Sequence, residues 1–292
     1  MVIVTYGRPE MVRRCLQSLT TPHASPQLNI TVVDNASPDE TPDVVARNFP
    51  SVRLIRRDTN DGFAVANNEA LRLATSPYIL VLNPDTEVTQ ATIHHLTEVL
   101  GQHPDIGVLG CRLLLNDGSP DHAAKRFIPS PRDALVYFAS RLVGERRGRY
   151  VATSVGEFDF ADVDAVNGAF MLIRAAALDQ VGLLDERYFM YGEDLDWCVR
   201  FRKAGWRVCY DGTVSALHVK GGSAGKRRNL KLAYHFHRSM AIFFGDHVAG
   251  DLPIAVRLPV IAAIWVRFAV QAPACGLASL SALLRRRLPR NS

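Results

Sequence analysis

The stretch Tyr78-Ile-Leu-Val-Leu-Asn-Pro-Asp-Thr-Glu87 decides the fold. Its first five residues form an unbroken apolar run, which is typical of a strand buried on both faces of a sheet. Pro84 cannot donate a hydrogen bond to a neighbouring strand, so we predict that the strand ends there and that the chain turns. Asp85 then lies at the C-terminal end of a central strand, where open α/β sheets bind their ligands. A simple turn is the alternative interpretation of Asn-Pro-Asp taken alone.

Apolar segments recur at regular intervals in the first part of the chain, beginning near Val2, Ile30, Val52 and Tyr78. A helical pattern follows each of them. Alternation of this kind predicts βαβ units and a parallel sheet. We therefore predict an α/β fold with a mostly parallel central sheet flanked by helices.

The helical patterns between these segments have recognisable boundaries. The first helix is predicted over residues 9–19, the third over residues 63–74 and the fourth over residues 89–100. Ser37-Pro38-Asp39-Glu40 has the pattern of a capping box with proline at the first helical position, so the second helix is predicted to begin there.

The second half of the chain is less regular. A strand is predicted over residues 106–115, followed by a tight hairpin turn at Asn116-Asp117-Gly118. Residues 119–160 contain several prolines and a basic cluster, formed by Arg141, Arg146, Arg147 and Arg149. We interpret them as a mobile segment that faces the substrate, and a solvated surface loop is the alternative. Further strands are predicted over residues 163–173, with a break at Asn167-Gly168, and near residues 206–210 and 214–219.

Composition limits the classes of function. A chain of 292 residues suits one large domain, or one domain with an appendage. The formal net charge of +5 favours anionic ligands or an anionic membrane surface, and it is too small to indicate nucleic-acid binding. The five cysteines form no CxxC pair, so we expect reduced thiols and a cytoplasmic protein. Met1 leads directly into an apolar strand pattern, and we expect no signal peptide.

The last forty or so residues are mostly apolar, with basic residues at intervals. Residues 258–266 and 268–284 carry no charge, but Arg267 separates them, and Arg285-Arg286-Arg287 follows. A membrane-spanning helix needs about 20 consecutive apolar residues, which neither run supplies cleanly. We predict an interfacial segment that contacts the membrane peripherally. A helix packed on the domain, or a contact to another subunit in an oligomer, is the alternative.

Polar residues follow three strands at what must be one edge of a parallel sheet: Thr5-Tyr6-Gly7-Arg8, Asp34-Asn35 and Asn83-Pro84-Asp85. A carboxylate beside a slot the size of a nucleobase can hydrogen-bond the imide of uracil or thymine. A second carboxylate, Asp85, can hold a divalent cation against a diphosphate, because Mg²⁺ and Mn²⁺ prefer such oxygen ligands.

A second group of polar residues is Glu193-Asp194, at the predicted start of a helix. The helix dipole alone favours acids there, which is the ordinary explanation. Aromatic residues surround the pair, however, and aromatic faces are good platforms for sugars, while a carboxylate among them could accept a hydroxyl proton. These aromatic residues are Tyr188, Phe189, Tyr191 and Trp197. His218 follows a strand pattern, and a lone histidine is more often structural than a metal ligand.

Two familiar nucleotide-binding patterns are absent from this sequence. No GxGxxG follows the first strand, which argues against a dinucleotide site. Residues 221–226 look like a phosphate-binding loop, but the spacing is one residue short and Arg227 stands where serine or threonine is required.

Taken together, the motifs resemble those of inverting family 2 glycosyltransferases, above all the bacterial rhamnosyltransferase branch. They occur in the family's order over residues 2–223: Val2-Ile-Val-Thr-Tyr6, Val33-Asp-Asn-Ala-Ser-Pro-Asp39, Asn60-Asp-Gly-Phe-Ala64 with Asn67-Asn68, Leu82-Asn-Pro-Asp-Thr86, Tyr191-Gly-Glu-Asp-Leu-Asp196, and His218 with Gly222-Ser223. The resemblance implies a GT-A fold over residues 1–228, a helical extension over residues 229–292, a nucleotide-diphosphate sugar donor, and Mg²⁺ or Mn²⁺.

The resemblance also implies roles for individual residues. The donor-binding residues would be Thr5, Tyr6, Asp34, Asn60, Asn83 and Asp85. The metal ligands would be Asp85 and His218. Asp194 would be the general base with Glu193 orienting it, and Tyr191 and Trp197 would bind the acceptor. The family commonly has an acid where this chain has Asn83, so we expect modest metal affinity and partial metal dependence.

The implied reaction transfers L-rhamnose from dTDP-rhamnose to a lipid-linked or cell-envelope glycan, such as a polyprenyl-linked acceptor, at the inner face of the cell membrane. A UDP-hexose transferase of galactose type is the alternative within the family. A nucleotidyltransferase would need a glycine-rich loop after the first strand, which Thr5-Tyr6-Gly7-Arg8-Pro9 lacks. A catalytically inactive sugar-nucleotide-binding protein is disfavoured because Asp85, Asp194 and His218 are intact.

Overall fold

The computed structural model describes residues 1–20, 28–128, 152, 154–219 and 230–287, without the side chains of residue 251 and of residues after 275. The strands are β1 Val2–Thr5, β2 Thr31–Asp34, β3 Arg53–Arg56, β4 Tyr78–Leu82, β5 Thr86–Glu87, β6 Ile106–Leu114, β7 Lys125–Arg126, β8 Phe160–Asp162, β9 Ala165–Val166, β10 Phe170–Arg174 and β11 Arg207–His218. The helices are α1 Pro9–Leu19, α2 Thr41–Asn48, α3 Phe63–Leu71, α4 Gln90–Gln102, α5 Ala175–Val181, α6 Glu193–Lys203, α7 Leu230–His247 and α8 Ile254–Arg287.

A mixed sheet forms the centre of the molecule, in the order β3-β2-β1-β4-β10-β6-β11-β5, with β8 beside β11. Strands β1 to β4 are parallel, which confirms the predicted βαβ half. Strand β10 lies antiparallel between β4 and β6, whereas β6 and β11 are parallel. The chain reverses before β10 at a turn in which the N–H of Phe170 donates to the carbonyl of Asn167. The α/β class is therefore confirmed, with an antiparallel strand inserted into the sheet.

Strand β4 lies at the middle of the sheet and ends where Pro84 predicts. Its residues from Ile79 to Leu82 are at most 3% exposed, as expected for a strand covered on both faces. Helix α1 has the predicted bounds and buries Val12, Cys15, Leu16 and Leu19. All five cysteines are free and buried, as predicted.

The predicted start of the second helix is wrong. Helix α2 begins at Thr41, whose backbone N–H donates to Oδ1 of Asp39 at 3.1 Å. Ser37 does not cap the helix, because its hydroxyl accepts the N–H of Gly7 at 2.7 Å. Oδ2 of Asp39 likewise accepts the N–H of Arg8 at 3.0 Å. The polar residues after β2 therefore hold the loop after β1 in place.

The region after β6 departs most from the sequence-based interpretation. The predicted hairpin turn is present, with the N–H of Gly118 donating to the carbonyl of Leu115. The residues after this turn are not a surface loop, because Asp121 and Arg126 are buried and β7 pairs with β9. The basic cluster over residues 141–149 lies outside the described residues, as does the glycine-rich stretch 221–226.

Two further predictions need correction in the last third of the chain. The strands expected near residues 206–210 and 214–219 form one strand, β11, which bulges between Asp211 and Ser215. The two apolar segments flanking Arg267 belong to one helix, α8, which continues through Pro259 and Pro273. Its part Ile254–Cys275 is long and apolar enough to cross a membrane, by length and composition.

Candidate active site

The C-terminal ends of neighbouring strands meet at one edge of the sheet. Thr5, the last residue of β1, pairs in register with Asp34, the last residue of β2. Strand β4 runs parallel to β1 and leads into Asn83-Pro84-Asp85. The long strand β11 ends here as well, since His218 pairs with Thr86, directly after Asp85. The structure thus brings together residues that lie far apart in the chain.

Asp34, a predicted donor-binding residue, is buried at this edge of the sheet. Thr5 and Asp34 are both almost fully buried. Oδ2 of Asp34 accepts the backbone N–H of Ser37 at 3.1 Å, whereas Oδ1 is buried and has no hydrogen-bond partner among the described residues. A buried carboxylate oxygen without a partner costs free energy, and a ligand N–H would satisfy it. The imide of a pyrimidine base is such a donor.

The other predicted donor-binding residues border this position. The side-chain amide of Asn35 donates to Oδ1 of Asn60 at 3.0 Å and to the carbonyl of Gly62 at 3.1 Å. Asn60 is therefore held beside the end of β2. The side chain of Tyr6 is half exposed at the surface, where it is accessible to a ligand.

Backbone strain is concentrated in the loops around the same edge. In the described part of the chain, the non-glycine residues with positive φ are Arg8 at 66°, Ala36 at 61° and Tyr191 at 72°. They follow β1, follow β2 and precede α6. A strained backbone of this kind costs about 1–3 kcal/mol per residue and is found mainly at functional sites, where the surrounding structure imposes it.

Asp85 and His218 form the candidate metal-binding pair. Nε2 of His218 lies 3.7 Å from Oδ1 of Asp85, and both side chains are buried. Within the described ranges, no group of three or more His, Cys, Asp or Glu side chains is arranged to hold a metal ion. Two protein ligands nevertheless fit Mg²⁺ or Mn²⁺ with the remaining positions taken by phosphate oxygens and water. Asn83 adds no charge, and its Oδ1 is buried with no hydrogen-bond partner among the described residues.

Asp194 is the candidate base and lies in the first turn of α6. Its Oδ2 accepts hydrogen bonds from Nη2 of Arg126 at 2.5 Å and from the N–H of Gly168 at 3.0 Å. Its Oδ1 accepts the N–H of Leu195 at 2.8 Å. A carboxylate oxygen has two lone pairs, so Oδ1 retains the capacity to accept the hydroxyl of an acceptor. The orientation of the carboxylate is fixed by these donors.

Glu193 differs from its neighbour in environment. The side chain is buried, and Oε2 has no hydrogen-bond partner among the described residues. Burial, and then the negative charge of Asp194, raise the pKa of Glu193 well above its ordinary value. The raised pKa favours the protonated form of Glu193 beside the negative charge of Asp194.

We expect Glu193→Gln to flatten the dependence of stability on pH. Above about pH 4.3 the unfolded chain loses the proton of Glu193 while the folded chain keeps it, so the free energy of unfolding falls as pH rises. The Tm of the variant should therefore exceed that of the wild type at pH 8 by a few degrees, because each kcal/mol of stability shifts Tm by about 2–4 °C. Thermal unfolding at pH 5 and pH 8 checks this, and an equal difference at both values would contradict it.

The two predicted acceptor-binding aromatics have different surroundings. The ring of Tyr191 is 37% exposed and contacts Phe236 of α7 edge-to-face at 5.9 Å. Trp197 has no exposed surface, and its indole N–H donates to the carbonyl of Gly182 at 2.9 Å. The expectation for Trp197 is wrong, because a ring on the buried face of α6 cannot offer a face to an acceptor.

A close backbone contact joins the start of α3 to the loop that precedes α6. The N–H of Phe63 donates to the carbonyl of Phe189 at 2.7 Å. Gly62 has φ 100° and ψ 178°, a conformation that is essentially restricted to glycine. A Cβ at this position would collide with the backbone of Phe189.

We expect Gly62→Ala to destabilise the fold by more than Gly182→Ala. Gly182 has nearly the same backbone conformation, with φ 83° and ψ 178°, but an added Cβ there meets nothing within 4 Å. The control variant should cost about 1–3 kcal/mol from backbone strain alone. The collision with Phe189 adds to that cost in Gly62→Ala. Chemical denaturation measures both, and equal losses would show that the contact contributes nothing.

Asp121 and Arg126 complete the site and were not identified from the sequence. Oδ2 of Asp121 lies 2.9 Å from Nδ1 of His218, and Arg126 holds Asp194. Both stand in a stretch with no recognisable periodicity. A buried arginine requires an acidic partner, but nothing in the sequence distinguishes Arg126 from the adjacent Lys125.

Comparison with known proteins identifies a family model, relatives and solved structures that this chain resembles. The model of the family described as "Glycosyl transferase family 2" matches residues 1–156. The N-acetylglucosaminyl-diphospho-decaprenol L-rhamnosyltransferase of Mycobacterium tuberculosis is 31% identical, with 86% of this chain and 85% of that protein covered. Rhamnosyltransferase WbbL of Escherichia coli is 26% identical, with 75% and 82% covered. Among solved structures, the mannosyltransferase PcManGT from Pyrobaculum calidifontis, in complex with GDP-Man and Mn²⁺, superposes with a TM-score of 0.57 at 20% identity over 99% of this chain and 75% of that one. The central sheet with its flanking helices is thus a GT-A fold.

Proposed function

The chain belongs to glycosyl transferase family 2, in its rhamnosyltransferase-like branch, and on that premise we propose that it transfers L-rhamnose from dTDP-rhamnose to a polyprenyl-linked glycan with inversion at the anomeric carbon. The observation that carries this proposal is the convergence of three features on one edge of the sheet. They are the acceptor oxygen of Asp34, the pair Asp85 and His218, and the oriented carboxylate of Asp194.

The donor lies across the ends of β1, β2 and β4 in this proposal. Oδ1 of Asp34 accepts the imide N–H of thymine or uracil, and Thr5 and Asn60 line the same pocket. Both pyrimidine bases carry this imide, so the pocket chemistry admits dTDP and UDP alike. The names of two relatives support rhamnose as the transferred sugar, we propose dTDP-rhamnose as its donor, and a UDP-hexose is the alternative donor.

Asp85 and His218 would hold a divalent cation against the diphosphate. When bound, Mg²⁺ or Mn²⁺ supplies positive charge that stabilises the departing nucleoside diphosphate. Asp85 contributes the one carboxylate of the pair, since Asn83 is neutral. Partial dependence on the metal follows from this small ligand set.

Asp194 acts as the general base. Its carboxylate takes the proton of the acceptor hydroxyl while that oxygen forms a bond to the anomeric carbon and the bond from this carbon to the diphosphate oxygen breaks. Arg126 and Gly168 fix the carboxylate through Oδ2, which leaves Oδ1 to receive the proton. One displacement of this kind inverts the configuration at the anomeric carbon.

The acceptor is proposed to be lipid-linked and to reach the site from the cytoplasmic face of the membrane. The exposed face of α8 supports this, because it carries many apolar residues: Ile254, Ala255, Leu258, Ala262, Val266, Ala269 and Val270. A long exposed apolar stripe is unusual on a soluble surface and is typical of a membrane contact. The ring of Tyr191, which stands three residues before Asp194 in the chain, packs on α7 of this helical extension.

We expect the double substitution Val266→Glu and Val270→Glu to abolish binding to vesicles that contain anionic lipid. The two side chains are 62% and 74% exposed, so two charges there oppose burial in the bilayer without disturbing the core. Leu73→Glu, which alters an exposed apolar residue outside α8, is the matched control. Cosedimentation with vesicles measures the effect, and a wild-type protein that stays wholly in the supernatant would contradict the proposed membrane contact.

A transfer assay tests the proposed reaction as a whole. Purified protein is incubated with dTDP-rhamnose, UDP-galactose or UDP-glucose and a polyprenyl-diphosphate-linked N-acetylglucosamine, with and without Mn²⁺. We expect a rhamnosylated lipid and release of dTDP. Donor binding without turnover on any acceptor would instead indicate an inactive sugar-nucleotide-binding protein.

A further inference from the structure

We propose that residues 121–126 form a positioning segment that orients both the metal ligand His218 and the base Asp194, through Asp121 and Arg126 respectively. The inference rests on the proposed function, because it concerns the residues assigned there. It concerns two side chains that neither the sequence motifs nor the relatives' names identify.

Asp121 orients the ring of His218. Oδ2 of Asp121 lies 2.9 Å from Nδ1 of His218, and Oδ1 of Asp121 accepts the N–H of Ala123 at 2.9 Å. A carboxylate accepts hydrogen bonds, so Nδ1 of His218 carries a proton. Nε2, the ring nitrogen nearest Asp85, is then the one with a lone pair for a cation. Carboxylates in this position behind a histidine orient the ring and strengthen it as a ligand.

Arg126 orients the carboxylate of Asp194. Nη2 of Arg126 donates to Oδ2 of Asp194 at 2.5 Å and to the carbonyl of Val166 at 2.5 Å. The guanidinium is therefore tied to a backbone carbonyl of the neighbouring strand as well as to the base. Arg126 is 6% exposed, so its charge is compensated within the protein rather than by water. Asp194 consequently keeps one orientation before an acceptor arrives.

The segment between these two residues is anchored at both ends. The N–H of Asp121 donates to the carbonyl of Leu113 in β6 at 2.8 Å. At the other end, Lys125 and Arg126 pair in register with Val166 and Ala165 of β9. Because only a short stretch of backbone connects Asp121 to Arg126, one local structure sets the position of both functional side chains.

Two variants separate the two roles. In Asp121→Ala, we expect Mn²⁺-dependent binding of dTDP or UDP to weaken by about 10–100-fold, the usual effect of losing such a partner, while metal-free nucleotide binding stays as in the wild type. In Arg126→Lys, which keeps the charge but loses the fork geometry, we expect Mn²⁺-dependent nucleotide binding to be unchanged. Its kcat should fall at least tenfold with the KM for the donor unaltered.

Asp211→Ala is the matched control for Asp121→Ala. Asp211 is also buried, accepts the N–H of Thr213 two residues on, and lies 2.9 Å from Nε2 of His95. This pair sits at the bulge of β11, away from Asp85 and Asp194. The control should lose stability without losing Mn²⁺-dependent nucleotide binding.

Calorimetric titration of the wild type and the three variants with dTDP and UDP, with and without Mn²⁺, combined with steady-state kinetics, decides between the outcomes. Wild-type affinity in Asp121→Ala, or parallel losses of binding and turnover in both variants, would overturn the positioning proposal and leave the proposed function intact. A wild-type protein that binds neither nucleotide with Mn²⁺ would overturn the proposed function, and this proposal with it.

Discussion

Asp194→Asn is expected to remove sugar transfer while leaving the donor site in place. The amide keeps the size of the carboxylate, and its oxygen can still accept hydrogen bonds from Arg126 and Gly168. It cannot take a proton from the acceptor hydroxyl, so we expect kcat to fall by about 10²–10⁴-fold. Steady-state kinetics with donor and lipid-linked acceptor measure the loss, and nucleotide titration verifies the intact donor site.

Asp196→Asn is the matched control in the same helix. Asp196 is also buried in the first turn of α6, but its carboxylate pairs with Arg200 at 2.8 Å and with His247 at 2.7 Å. The contact with Arg200 lies within α6, the contact with His247 joins α6 to α7, and neither involves Arg126 or Gly168, which hold Asp194. The control should lower thermal stability and keep most of kcat. Near-normal turnover in Asp194→Asn would exclude Asp194 as the base.

Asp85→Ala is expected to have the largest effect on donor binding. Asp85 supplies the one carboxylate of the proposed metal pair, because Asn83 is neutral and His218 contributes a nitrogen. Without Asp85 the gain in dTDP or UDP affinity on adding Mn²⁺ should disappear entirely, a larger loss than the one expected for Asp121→Ala, because Asp85 is itself a proposed ligand whereas Asp121 orients one. Metal-free nucleotide affinity should stay close to that of the wild type, since Asp34 and Thr5 are untouched.

Asn83→Asp tests the proposed metal site in the opposite direction, by adding a carboxylate instead of removing one. The substitution restores an acid beside Asp85 and should increase the gain in nucleotide affinity on adding Mn²⁺. In the absence of metal the variant should be less stable than the wild type, because a second carboxylate at this half-buried position is repelled by Asp85. An unchanged effect of Mn²⁺ in Asp85→Ala would exclude Asp85 as a metal ligand, whatever Asn83→Asp does.

Local signals in the sequence predicted the parts of the fold that depend on local physics. Pro84 follows the end of β4, and the helical pattern predicted over residues 9–19 forms α1 with those bounds. Each of these features depends on a few neighbouring residues, so periodicity and turn chemistry are sufficient to find it.

Contacts between distant segments were not predictable in the same way. Ser37 has the sequence context of a helix cap, yet it accepts a hydrogen bond from Gly7, thirty residues earlier, because the loops after β1 and β2 are adjacent at the sheet edge. Trp197 looks like part of an aromatic platform beside Asp194. The helical period instead turns it inward to the core with Phe201, which it contacts at 5.6 Å.

The residues of the candidate site likewise fall into those that local sequence motifs predicted and those that they did not. Asp34, Asp85 and Asp194 stand in motifs with recognisable chemistry, so the sequence alone was sufficient to propose them. Asp121 and Arg126 depend on tertiary neighbours, 97 and 68 positions away in the chain, that no local pattern reveals. The membrane-contacting segment was predicted from the sequence, but its continuity as one helix was not, because Arg267, which is partly buried in α8, divides the apolar residues into two runs.

The edge formed by β1, β2 and β4 is proposed to bind a nucleoside diphosphate with the help of a divalent cation. Calorimetric titration of the wild-type protein with dTDP and with UDP, each with and without Mn²⁺, tests it most directly. The account predicts binding that Mn²⁺ strengthens, with dTDP preferred if the donor is dTDP-rhamnose and UDP preferred if it is a UDP-hexose. Absence of binding to both nucleotides, in the presence of Mn²⁺ as well as in its absence, would contradict it.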